Sequence, residues 1–171
     1  MPAAVDPARL LESVLVVWRE DGYQGATTRR IAEVAGVSEM TLFRRFGDKA
    51  TLFRAALARE AERFAGDAVA YTGVLGDDLE RIVRAYDRLL ARSAPIVLDV
   101  LREAPRQPEL AAVGEAPLAA VAQIAALLAR YQRQGALRAG APADAVLALL
   151  GPVLVAALLR RAQPRLPVPL D

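Results

Sequence analysis

Residues 27–53 read TTRRIAEVAGVSEMTLFRRFGDKATLF, three capped helical segments joined by very short turns. Thr27 can cap a helix to about Ala35, which Gly36 ends. Ser38 can cap a second to about Phe46, which Gly47 ends. Asp48 can cap a long third helix to about Tyr71. The first turns Ile31, Ala32 and Ala35 inward and the second Leu42 and Phe46. Between them Gly36 suits a left-handed turn residue and Val37 can plug the hairpin. This is the pattern of a helix-turn-helix unit, whose second helix enters a DNA major groove with its N-terminal residues at base edges. Here that helix offers Glu39, Met40, Thr41, Arg44 and Arg45 on its outer surface. Residues 40–54 set Arg44, Arg45, Lys49 and Arg54 against Asp48, a local +3 in a chain whose formal total is +2. A phosphate-facing surface has this electrostatic footprint.

Composition agrees with an all-helical chain. Ala, Leu and Arg dominate the 171 residues, and strand-like alternation is missing. The 22 basic residues nearly balance 20 acidic ones, so any nucleic-acid surface must be local. There is no Cys and no His. Disulfides, thiolate sites, Ser-His-Asp and Cys-His nucleophile systems and the commonest metal ligands are therefore excluded. No paired-carboxylate signature replaces them, so an enzyme is disfavoured and no cofactor or metal is expected. Asp6 and Glu12 stand where a signal peptide would be basic and then apolar, so a cytoplasmic protein is expected.

Upstream, Asp6 and Pro7 open a helix to about Glu20, with Leu11, Val14, Leu15 and Trp18 on one stripe and Gly22 as its stop. Downstream, Asp77–Arg92 reads as a helix and Pro95 to about Glu103 as a separate short one. Pro105, Pro108, Gly114 and Pro117 punctuate a looser connector. Leu118 to about Gln134 is a nearly apolar helix, and Pro142 to about Arg161 is the last. Residues 164–171 carry three prolines and are expected to be extended or loose.

The first third of the chain resembles the TetR/AcrR family of bacterial transcriptional regulators. The resemblance rests on Gly22-Tyr23, Thr27, Ile31-Ala32, Ala35-Gly36-Val37-Ser38, Thr41-Leu42-Phe43, Phe46 and Lys49, in that order and spacing. It implies an all-α homodimer with an N-terminal three-helix helix-turn-helix domain, residues 1–50, and a larger helical ligand-binding and dimerisation domain, residues 51–171. It implies a double-stranded DNA operator, a small effector and, most simply, repression. Thr27 and Ser38 cap helices and are also placed to touch phosphate. Thr41, Arg44 and Arg45 face the groove or its walls, and Lys49 meets a phosphate. Phe43 stands where the family usually has Tyr, so the hydroxyl that commonly reaches a phosphate is missing, and Met40 replaces a small residue. Glu39 can accept a hydrogen bond from cytosine N4, or stand in the first turn because the helix dipole favours an acid there.

From Ala145 to Leu159 the sequence AVLALLGPVLVAALL has no polar side chain. A helix apolar all round is buried or in lipid. Fifteen residues fall short of the ~20 that a membrane span needs, and Pro152 would kink it. No membrane association is therefore expected. With the helix from Leu118 it suits a four-helix interface between two protomers, the family's usual dimer. Candidate contacts are Leu118, Val121, Ala125, Leu128, Val146, Leu150, Val153, Leu154 and Leu158. A ligand pocket, implied by the resemblance alone, would draw on Tyr86, Asp99, Arg102, Gln123 and Tyr131. So few polar groups point to a largely apolar effector. The family often carries one more helix after the last apolar one, which the terminal RLPVPLD does not predict. The alternative from a different class is an all-α protein-interaction or small-molecule carrier module without DNA-binding activity.

Overall fold

The computed structural model describes residues 6–103, 105, 107 and 112–162. Among these there are seven α-helices and no strand: α1 Pro7–Gly25, α2 Thr28–Ala35, α3 Glu39–Phe46, α4 Lys49–Ala68, α5 Leu75–Glu103, α6 Glu115–Arg133 and α7 Pro142–Ala162. The expected loose tail at 164–171 and Pro108 of the connector lie outside the described residues.

The first caps form as the sequence predicts. Asp6 accepts from the Ala8 amide at 2.9 Å, Thr27 from Arg30 at 3.2 Å, Ser38 from Thr41 at 3.2 Å and Asp48 from Thr51 at 2.7 Å. Each bond satisfies an amide that the first helical turn would otherwise leave unpaired. Gly36 takes the left-handed conformation (φ 69°) that closes α2 and lets the chain reverse into α3.

Gly22 (φ 70°, ψ 171°) leaves the helical conformation and stops the first stretch of α1 as the sequence predicts, and a short second stretch resumes to Gly25. Two sequence expectations are corrected. Pro95 does not separate two helices: α5 runs unbroken for 29 residues through it. Leu90, Ala94 and Ile96, on either side of the proline, are all buried. Packing therefore outweighs the backbone hydrogen bond that a mid-helix proline forfeits. Helix α6 starts at Glu115, three residues before Leu118, with Pro117 tolerated in its first turn.

The chain forms two compact units. One comprises Met1–Ala61 with Pro95–Pro117, the other Glu62–Ala94 with Leu118–Asp171. Residue 50 lies inside α4, which continues without a break to Ala68. The core of the first unit gathers Leu10, Val14, Trp18, Tyr23, Ile31, Leu42 and Phe53 with Ile96 from α5. Trp18, Tyr23 and Phe53 form an aromatic trio with ring centroids 4.8–5.6 Å apart. In the second unit Asp78 is fully buried and accepts from the Thr72 hydroxyl at 2.8 Å, the Thr72 amide at 3.0 Å, Tyr131 and Arg81. Burial alone would push this carboxyl up, but those donors hold it down at about 2.

Candidate nucleic-acid interface

Helices α2 and α3, with the Gly36–Ser38 turn, make a closed hairpin against α1. Ile31, Ala32 and Leu42 are buried, and Arg30 reaches back toward Glu20 and Asp21 on α1 at 3.8 and 4.0 Å. With its inner face consumed by the core, α3 turns the rest of its surface outward. Met40 is 75% exposed and Phe43 45% exposed. Arg44 and Arg45 are exposed, and the Arg45 guanidinium lies 5.8 Å from the Phe46 ring centroid. The structure thus brings Met40, Phe43, Arg44 and Arg45 to one outer surface.

The polar residues of the first turn are engaged within the protein. The Thr28 hydroxyl donates to the Glu39 carboxylate, joining the starts of α2 and α3. The Thr41 hydroxyl lies 2.8 Å from Ser38 Oγ. Thr27 and Ser38 sit exposed at the two helix starts, each with its oxygen already accepting a backbone amide.

Lys49 departs from the expectation of a displayed phosphate anchor. Its ammonium donates to the Tyr23 carbonyl at 2.5 Å and lies 4.4 Å from the Tyr23 ring centroid and 5.4 Å from that of Phe53. Burial pulls its pKa down, and the Asp99 charge partly restores it. At the start of α4 the lysine therefore holds the α1 kink in place.

Asp99 is the residue whose role sequence reasoning missed. Assigned from the resemblance to a ligand pocket, it instead accepts from Trp18 Nε1 at 2.8 Å and from the Tyr23 amide at 2.5 Å, both buried, while Arg102 pairs with its other oxygen at 2.8 Å. Gly22 at the kink frees the Tyr23 amide to face that carboxylate. The available signal was Asp99 itself, one acid among the apolar residues of PIVLDVL. Of the other pocket candidates, Arg102 is thus its partner. Asp99 and Arg102 belong to the first unit, whereas Tyr86, Gln123 and Tyr131 belong to the second. There Tyr131 donates to Asp78, Gln123 is exposed and Tyr86 packs on Phe64 at 5.9 Å.

A family model described as "Bacterial regulatory proteins, tetR family" matches residues 10–56, the span that holds the hairpin and its core. These residues are similar to those of TetR-family regulators. Over 56 residues the chain is 43% identical to the HTH-type transcriptional repressor AcnR of Corynebacterium glutamicum, a stretch covering 33% of this chain and 30% of that protein. The chain thus matches under a third of the length of this curated relative. The likeness in all-α fold extends over nearly the whole chain. The fatty acid degradation regulator FadR from Bacillus halodurans superposes with a TM-score of 0.76 at 19% identity, covering 94% of this chain and 90% of that one. The TetR family transcriptional regulator PfmR from Thermus thermophilus gives 0.66 at 21% identity, covering 94% and 89%.

Proposed function

We propose that the protein is a sequence-specific DNA-binding transcriptional regulator, a homodimer and most simply a repressor released by a small effector. The observation that carries this reading is the outer face of α3, where Met40, Phe43, Arg44 and Arg45 stand exposed on a TetR-family hairpin. A carrier or scaffold module has no use for that combination of capped hairpin and cationic surface. In this reading residues 1–50 read DNA and 51–171 serve dimerisation and effector binding. Arg44 and Arg45 take base edges and groove walls, and Thr27, Ser38 and Thr41 approach the backbone at the helix starts. Glu39 and Lys49 hold the unit in shape. No catalytic role is assigned, and the site of action is cytoplasmic.

The dimer part is supported by α6 and α7. Leu118 and Leu147 are each 69% exposed, and Val155 and Leu159 add to the stripe. Of the predicted contacts, Leu128, Val146 and Leu150 are buried within their own chain, so the interface shifts to Leu118, Leu147, Val155 and Leu159 flanked by Val121, Ala125, Val153, Leu154 and Leu158. The length argument against a membrane is also corrected. The Pro142–Arg161 span is long and apolar enough to cross one by length and composition, and only 22% of it is buried. A second copy is the better cover because α6 also leaves Leu118 exposed and carries the exposed polar Gln123 and Arg130. For the effector, the second unit holds an open cleft of about 340 Å³ lined by Leu90, Ala91, Ala94 and Ala157 together with Asp87, Arg160 and Arg161, Arg160 being paired with Asp87 at 2.9 Å. That lining suits a small, largely apolar molecule.

The test is a mobility-shift titration of the full chain on duplexes from its own upstream region at about 0.15 M salt. Cognate binding at least a hundredfold tighter than to a scrambled duplex is expected, and equal affinity for both would overturn the reading. Sedimentation velocity on the same sample should give a dimer. A monomer in solution, or partition into phospholipid vesicles, would remove the dimer from it.

A further inference from the structure

The first turn of α3 has an unusual division of labour. Glu39, able by chemistry to accept from a cytosine amino group, is bonded by Thr28. Thr41 lies within hydrogen-bond distance of Ser38. The side chain left facing outward is apolar: Met40, 75% exposed, followed one turn on by Phe43 at 45%. Residues three and four apart share a helix face, so Met40, Phe43 and Arg44 form one surface, an apolar strip edged by a cation.

Single exposed apolar residues on a protein are ordinary. Two of them at the leading end of a helix that carries Arg44 and Arg45 need a partner that is anionic overall and apolar at one point. In the major groove the apolar group on a base edge is the C5-methyl of thymine. Resting on the DNA-binding reading above, we propose that Met40 is a specificity-determining residue that packs on a thymine methyl in each half-site, with Phe43 closing the contact against the sugar-phosphate wall. The arginines supply attraction and Met40 the discrimination, so the preferred half-site holds thymine at the position under the N-terminus of α3. Cytosine offers no methyl there, and Thr28 already holds one oxygen of the Glu39 carboxylate back toward α2.

The experiment starts with selection of bound duplexes from a random library by the full chain. Thymines at each enriched position are then replaced by deoxyuridine, which removes the methyl and leaves base pairing intact. One replacement per half-site should weaken the wild type about fourfold for each methyl lost, the factor that one buried methyl group is worth. Met40→Ser should bind the thymine duplex more weakly and be indifferent to deoxyuridine, while Met40→Leu should regain the sensitivity. The high exposure of Met40 means these variants keep the fold, which the far-ultraviolet spectrum checks. Enriched sites at which no deoxyuridine weakens the wild type twofold, or a Met40→Ser variant as sensitive as the wild type, would overturn the thymine contact and leave the DNA-binding reading standing. A library with no enriched sequence overturns both.

Discussion

In the helix-turn-helix unit Trp18, Ile31 and Leu42 are almost wholly removed from water, whereas in α7 Leu147 and Val155 remain largely exposed. Both segments carry many apolar residues, yet in the first the inward side chains gather into one buried core and in the second large side chains are left exposed along the helix. The difference lies in how each helix is written. Helices α1–α3 alternate apolar and charged positions, so each has one face for the core and one for solvent. Helix α7 is apolar on all sides. Its own chain covers one side of it, and Leu147, Val155 and Leu159 on the rest stay exposed, which is what the proposed dimer would cover.

The largest expected effect separates these two kinds of apolar residue within one helix. Leu150→Arg places an unpaired charge where the side chain is 6% exposed, and should destabilise the fold by about 3–5 kcal/mol. Leu147→Arg, three residues away, should leave the helical spectrum intact and convert dimers to monomers in sedimentation velocity. Two variants that behave alike would erase the distinction between core and interface. Next comes Asp99→Asn, which keeps the shape of the side chain and removes the charge from the bonds to Trp18 Nε1 and the Tyr23 amide. A loss of roughly 1.5–3 kcal/mol in a urea titration is expected. Trp18 is the only tryptophan, so a shift in its emission maximum reports this site alone.

A smaller effect probes the second unit. Asp78 has its carboxyl held at about 2 against burial, below the ~3.9 of an unfolded chain. Its contribution is therefore complete above about pH 5 and is lost as pH falls from about 4 toward 2. Tyr131→Phe removes one of the donors and should lower the melting temperature by roughly 3 °C at pH 7. That difference should narrow steadily below pH 4, and a gap unchanged at pH 2.5 would contradict the assignment. Thr27→Ala should show the smallest effect, about 1 kcal/mol from a lost cap, with Thr27→Ser restoring it.

Legibility followed the range of the interactions. Asp6, Thr27, Ser38 and Asp48 act on amides two or three residues away, so their roles could be read from adjacent letters. The α2–turn–α3 hairpin and the outward Arg44 and Arg45 followed from the same local grammar. The internal bonds of Lys49 and Asp99 were not legible because their partners lie far along the chain. Lys49 bonds to Tyr23, and Asp99 to Trp18 and Tyr23, 81 and 76 residues away.

By itself the sequence determined the helical class, the caps, the hairpin and the absence of thiol and imidazole chemistry, because each depends on composition or on neighbours within about one turn. Only the tertiary structure decided that Pro95 sits inside a continuous helix, that Lys49 and Asp99 brace the kink at Gly22, and which side of α7 is spent on its own chain. Those outcomes depend on which distant side chain occupies the space beside a residue, and helical periodicity gives a helix its faces without saying what each face will meet.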